Sequence, residues 1–278
     1  MTIRDILVYA DSAPATRARL EIAAALAARH QAQLTGVFLR SAFMKSFWAA
    51  EAAVLAAAID IAAVIREQEA AVTKAEDAAR MEFEGLARDA GVSSDWLSLD
   101  GDTDTRLIAA ARRFDLTVMP IRARPMLSEN EVSASEIAMA SGGPVLAVPD
   151  GSHGPMVGRR VMVAWKNSRE SARALRDAWP LLAAAQEVHV VVASQDGDYG
   201  PDGELQDHFH RHGLKPNIIV AADDDLIASA VLRREAIRLK ADLIVMGVFG
   251  RPRLGQMLFG GVSADLLANP PAALLLSH

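Results

Sequence analysis

Short apolar runs alternate along this chain with stretches in which apolar residues recur every three to four positions. Ile6-Leu7-Val8-Tyr9-Ala10 is followed by a polar turn, Asp11-Ser12, and then by Leu20, Ala23, Ala24 and Ala27 at helical spacing. The same alternation continues to the end of the sequence. It predicts strands at 4–10, 33–39, 95–99, 115–119 and 145–148, and again at 159–165, 187–193, 216–220, 242–246 and 272–276. Continuous apolar strands separated by amphipathic helices predict a parallel sheet covered on both faces, an α/β fold. A long alanine-rich helical stretch spans about Ser41 to Arg88; its part 66–88 mixes Glu67, Glu69, Glu76 and Glu82 with Arg66, Lys74, Arg80 and Arg88, as expected of a helix with one face in water.

The pattern repeats. Arg160 to Leu182 reads as Arg4 to Leu26 does: Val161-Met162-Val163-Ala164-Trp165, a turn Lys166-Asn167-Ser168, then Ala172, Leu175, Ala178 and Leu182. Asp115-Leu116-Thr117-Val118-Met119 matches Asp242-Leu243-Ile244-Val245-Met246. Pro144-Val145-Leu146 matches Pro271-Ala272-Ala273, so the loops 120–144 and 247–271 align without a gap. Two tandem domains are expected, 1–150 and 157–278. The joint near Asp150-Gly151-Ser152-His153-Gly154-Pro155 is polar and rich in glycine and proline.

Composition narrows the function classes. A net charge of −6 argues against generic nucleic-acid binding. The absence of cysteine excludes disulfides, thiolate catalysis and cysteine zinc sites, and it suits a reducing cytoplasm. No basic-then-apolar leader follows Met1, and the most membrane-like stretch, Ala52 to Ile65, is too short to span a bilayer and contains Asp60. A cytoplasmic protein with no membrane span is expected.

The candidate chemistry sits after the apolar run ending at Met246. Gly247, two residues, Gly250, nine residues, then Gly260-Gly261-Val262-Ser263 form a glycine-punctuated loop that leaves a buried strand and opens a short helix. Glycines permit tight turns and close approach of backbone to a ligand, and the free N–H groups of a helix start favour an anion. Neither a Walker A loop nor Gly-x-Gly-x-x-Gly is present.

This spacing resembles the nucleotide loop of the universal stress protein family, and with the strand order and the repeat the resemblance covers nearly the whole chain, as a tandem member. It implies two open-twisted, Rossmann-like parallel-sheet domains of the adenine-nucleotide alpha-hydrolase type, forming an intramolecular pseudo-dimer. It also implies binding of ATP or another adenine nucleotide, with Mg²⁺ as a companion ion, and a regulatory role in stress rather than efficient catalysis. Gly247, Gly250, Gly260, Gly261, Val262 and Ser263 would cradle phosphates and Arg251 would neutralise their charge. The main chain near Val191 and Val192 would read an adenine edge; Ala164 and Lys166, at the end of the first strand of the second half, are further candidate contacts, Lys166 either a surface lysine or a partner for a phosphate or a different ligand. Gly261 stands where the family places a hydroxyl residue.

Each half departs from the family pattern differently. The ungapped alignment sets Pro120, Ala123, Ser133 and Glu136 against Gly247, Gly250, Gly260 and Ser263, and adds Glu129 and Glu131 near where phosphates would sit. Proline removes a backbone donor and like charge opposes an anion, so the first half reads as a degenerate partner. Conversely, Asp11 keeps the aspartate that the resemblance places near the nucleoside, and Lys166 replaces it in the second half.

The remaining constellations are weaker. His208 and His212 would share a helix face with His210 pointing away, a solvated helix end more than a metal site. Asp223-Asp224-Asp225 and Asp100-Gly101-Asp102-Thr103-Asp104 read as helix starts, where carboxylates suit capping and the dipole. No catalytic triad is visible. The alternative function is a nucleotide-independent interaction or apolar-ligand module using the 42–65 stretch, with Phe43, Phe47, Trp48 and Leu55. A homodimer or an unknown protein partner is compatible with either reading.

Overall fold

The computed structural model describes residues 2–40, 61–101, 103–123, 131–152, 154, 156–193, 203–221, 227–248 and 261–278. The 42–65 stretch through Asp60, the acidic run Asp223 to Asp225, and Gly250, Arg251 and Gly260 lie outside the described residues.

Every predicted strand forms, each end within one residue of its expected place. In the first half these are β1 (Asp5–Tyr9), β2 (Gln33–Leu39), β3 (Ser94–Leu99), β4 (Leu116–Pro120) and β7 (Val145–Val148). In the second they are β8 (Arg160–Ala164), β9 (Glu187–Ala193), β10 (Asn217–Ala221), β11 (Leu243–Gly247) and β12 (Ala273–Ser277). The helices between them are α1 (Thr16–His30), α2 (Ile61–Asp89), α3 (Thr103–Ala111), α4 (Ala134–Ser141), α5 (Arg169–Ala183), α6 (Gly203–Arg211), α7 (Ala228–Arg238) and α8 (Val262–Ala268). A short ribbon of β5 (Arg122–Ala123) and β6 (Val132–Ser133) lies outside the main sheet; the hydropathy pattern did not announce it.

The ten long strands form one sheet in the order β10-β9-β8-β11-β12-β7-β4-β1-β2-β3. Within each half all neighbours run parallel. The halves meet through β12 and β7, which pair antiparallel with Leu275 opposite Leu146. That pair lies on a pseudo-twofold axis: reading outward from it, each half runs last strand, fourth, first, second, third. The sheet is buried on both faces. One layer holds Leu20, Leu26, Phe83, Leu175, Leu182 and Phe209 from α1, α2, α5 and α6. The other holds Leu107, Ile137, Leu232 and Leu266 from α3, α4, α7 and α8. The central strands, dry on both faces, are nearly continuous apolar runs, while the edge strands β3 and β10 are partly exposed and β3 carries polar residues.

One carboxylate device recurs at the amino ends. Asp115 Oδ2 accepts from the N–H groups of Arg4 (2.7 Å) and Asp5 (3.1 Å). Asp242 accepts from those of Gly158 (2.7 Å), Arg159 (3.1 Å) and Arg160 (3.0 Å). In each half the residue before the fourth strand thus satisfies the free amides that start the first strand, fixing β1 against β4 and β8 against β11.

Strand register corrects the gapless loop alignment. Thr117 pairs with Val145, 28 residues on, whereas Ile244 pairs with Leu274, 30 residues on. The second connection is two residues longer, so Leu275, not Ala273, is the counterpart of Leu146. The helix starts shift as well: Ser133, the N-cap of α4, answers Gly261, the N-cap of α8.

Candidate functional site

Open α/β sheets bind ligands beyond the carboxyl ends of their strands, where strand order reverses. Here that crevice lies between β1 and β4 in the first half and between β8 and β11 in the second. The two crevices can be compared residue by residue, because β1 and β8 share register with β4 and β11, and the buried positions of α1 and α5 coincide. Thr16, Arg19, Leu20, Ala23, Leu26 and Ala27 correspond to Ser171, Ala174, Leu175, Ala178, Leu181 and Leu182.

In the first half the crevice is filled from within. Arg19, 2% exposed, donates from Nε to the carbonyl of Tyr9 (2.8 Å) and from Nη2 to Thr16 Oγ1 (2.9 Å). It pairs with Asp11 at 3.3 Å and lies over the Tyr9 ring, 5.4 Å from its centroid. Asp11 also accepts from the Ala13 amide (3.0 Å) and the Thr16 hydroxyl. Burial, followed by the Asp11 charge, pushes the Tyr9 phenol well above its ordinary value, so it stays neutral. The aspartate that sequence placed near a nucleoside is therefore committed to an internal ion pair. The nearby glutamates have structural partners too: Glu131 pairs with Arg122 (3.2 Å), and Glu136 closes a capping box with Ser133.

In the second half the same positions are small or exposed. Tyr9 is answered by Ala164, Arg19 by Ala174, Thr16 by Ser171 and Asp11 by Lys166. Ala164 is half-buried, Lys166 is exposed, and the Lys166 amide donates to Ser171 Oγ at 3.3 Å. Trp165 packs half-buried against the core, with its amide bonded to the Val191 carbonyl (2.9 Å). Val191 and Val192 are buried, so only their main chain can face a ligand.

The described residues of the glycine loop divide by role. A Cβ on Gly247 would come within 2.5 Å of the carbonyl carbon of Glu170 and 2.8 Å of its oxygen, so glycine here lets the first turn of α5 lie directly on β11. Gly261 is extended, exposed, and would meet nothing within 4 Å if given a Cβ. Ser263 Oγ donates back to the Gly247 carbonyl at 3.4 Å. At the register partner of Gly247, Ser277 is buried and its hydroxyl has no hydrogen-bond partner among the described residues.

Two features were not singled out in the sequence. Glu170, in the first turn of α5, brings a carboxylate to the site; a hydrogen bond to its own backbone holds it below the usual range, helped by Ser168 and Arg169. The second is the exchange of Tyr9 and Arg19 for Ala164 and Ala174, whose consequence depends on where the two larger side chains end in the packed structure.

Residues 225–278, which carry α7, β11, α8 and β12, match the model of the universal stress protein family. The match covers the end of the second half of the chain. Among solved structures it is similar to a universal stress protein from Archaeoglobus fulgidus DSM 4304, with a TM-score of 0.74 and 17% identity over 98% of this chain and 97% of that one. It is also similar to a functionally unknown protein from Pseudomonas aeruginosa PAO1, with a TM-score of 0.62 and 17% identity over 99% and 92%. At such identities the likeness is one of fold, and it extends over both halves of the chain. No curated protein sequence matches the chain.

Proposed function

We propose that this protein binds an adenine nucleotide in the crevice between β8 and β11, as a regulatory module, and that the first half is its non-binding partner. The domains are 1–150 and 157–278. The observation that carries this reading is the replacement of Tyr9 and Arg19 by Ala164 and Ala174, which removes from the second crevice the side chains that fill the first.

The residues present fit the phosphate end of a nucleotide. Gly261 leaves its surroundings open, and the Ser263 hydroxyl is close by. Gly250, Arg251 and Gly260 complete the proposed loop, with Val262 beginning α8. At the nucleoside end, Ala164 leaves room for a flat base, the main chain at Val192 offers hydrogen bonds along its edge, and Lys166 substitutes a cation for the first half's carboxylate. ATP with Mg²⁺ is the proposed ligand, Mg²⁺ supplying charge neutralisation between phosphates. The chain's own part is to hold and orient the nucleotide, with at most slow hydrolysis.

Calorimetric titration of the full chain with ATP and Mg²⁺ tests this. The wild type binds with one site per chain, and Ala164→Tyr, which restores the bulk found at Tyr9, abolishes binding while leaving the fold intact. A wild type that binds no adenine nucleotide overturns the proposal.

A further inference from the structure

On the face of the sheet opposite α8, α6 packs against α5 through a cluster of aromatic rings. Trp179 of α5 is half-buried. The ring centroid of His212, the residue that follows α6, lies 4.3 Å from that of Trp179, and His208 lies 5.6 Å away. The two imidazoles are 4.8 Å apart, centroid to centroid, inclined at 64°. Phe209, fully buried and 5.6 Å from Trp179, anchors the helix to the core. His210 is exposed.

We propose that His208 and His212 form a two-imidazole site for a divalent transition metal, held ready by the Trp179 ring, with copper(II) bound most tightly. Imidazoles four apart on a helix converge from one face, the arrangement that lets two ring nitrogens reach one ion. Side chains packed against an aromatic plane have already given up rotamer freedom, so less entropy opposes binding. No ring nitrogen of either residue has a hydrogen-bond or ion-pair partner among the described residues, leaving their lone pairs available.

The same surroundings set the strength. Arg176 and Arg211 repel a cation, and among the described residues no group of three histidines or carboxylates converges. Water must complete the coordination sphere. The affinity is therefore micromolar rather than that of a closed four-ligand site, and it follows the usual divalent order, with copper(II) above nickel(II) and zinc(II).

The experiment is titration of the chelator-stripped full chain with copper(II) at neutral pH, read by tryptophan fluorescence and by calorimetry. Copper(II) at this distance quenches an indole efficiently. Wild type shows saturable quenching at one equivalent. His212→Ala, an exposed position that leaves the core untouched, loses about tenfold or more in affinity. Trp179→Phe keeps the calorimetric binding and loses most of the quenching, and His210→Ala behaves as wild type. If His212→Ala and His208→Ala both bind copper(II) as wild type does, or if wild-type quenching never saturates, the site does not exist.

Discussion

Arg19 reaches from the start of α1 to the carbonyl of Tyr9, 2.8 Å away, and so closes the end of β1 with a buried cation. That bond, with the Asp11 pair beside it, has no counterpart in the second half, where Ala174 and Lys166 stand at the matching positions. Removing a partner from a buried ionic network leaves polar groups unsatisfied. Arg19→Met is expected to destabilise the protein by about 2–3 kcal/mol, less than a fully buried pair because Asp11 retains some solvent. Chemical denaturation measures it; a loss below the scatter of surface substitutions would show that the network is dispensable.

The two described glycines of the loop should respond oppositely to enlargement. Gly247→Ala forces a methyl against the backbone of Glu170, which cannot swing aside as a side chain can, and should cost about 1–3 kcal/mol. Gly261→Ser meets open space and supplies a hydroxyl at the N-cap of α8, matching Ser133 on α4, and should be neutral or stabilising by a few tenths of a kcal/mol, roughly. Under the proposed function the same serine also tightens nucleotide binding. Comparing denaturation midpoints with and without ATP separates the two effects.

Glu76 on α2 gives the first half an acid-sensitive tie. Burial pushes its pKa up, but hydrogen bonds from Trp96, Ser98 and Arg40 outweigh burial, so the net shift is downward. A carboxylate with a depressed folded value stabilises at pH above its unfolded value, about 4.3, and that stabilisation is lost as pH falls through the folded value. Wild type should therefore lose more stability than Glu76→Gln between pH 6 and pH 3, roughly. Parallel slopes for the two proteins would assign no role to Glu76.

His208 has the opposite linkage. Its folded pKa lies below the ordinary 6.5 through burial and neighbouring positive charge, so the unfolded chain binds a proton first. Stability should fall as pH drops below about 6.5 and stop falling once the folded pKa is passed. His208→Gln removes this component, visible as a flatter melting temperature across that window. An unchanged slope would mean that His208 is solvated in solution.

Asp242 and Asp115 do the same work for unequal numbers of amides, three and two. Asp242→Ala should cost more than Asp115→Ala, each about 1–3 kcal/mol, because charge-assisted bonds to backbone N–H groups are lost in both. Equal or reversed losses in urea denaturation would show that bond number does not set the difference.

Much of this was present in the one-dimensional pattern. The alternation of strand and helix patterns located all ten strands of the sheet, most plainly the central ones, because strands buried on both faces admit few polar residues, and the spacing of Leu20, Ala23 and Ala27 determined α1. The glycine spacing after Met246 marked the second half as the one to examine, while the exchange of Asp11 for Lys166 set it apart from the family pattern. What the pattern could not determine depends on which side chains meet across the fold. It does not show that β12 and β7 join antiparallel, since pairing partners leave no local trace. It led to a gapless loop alignment that strand register lengthens by two residues. It placed Gly247 in the nucleotide loop but did not show the close approach to Glu170, brought in from a helix 77 residues earlier, that also requires glycine there. And it gave Arg19 no role, because only the packed structure shows where a long side chain ends: hydropathy records how polar a residue is, while burial and partnership are properties of the space around it.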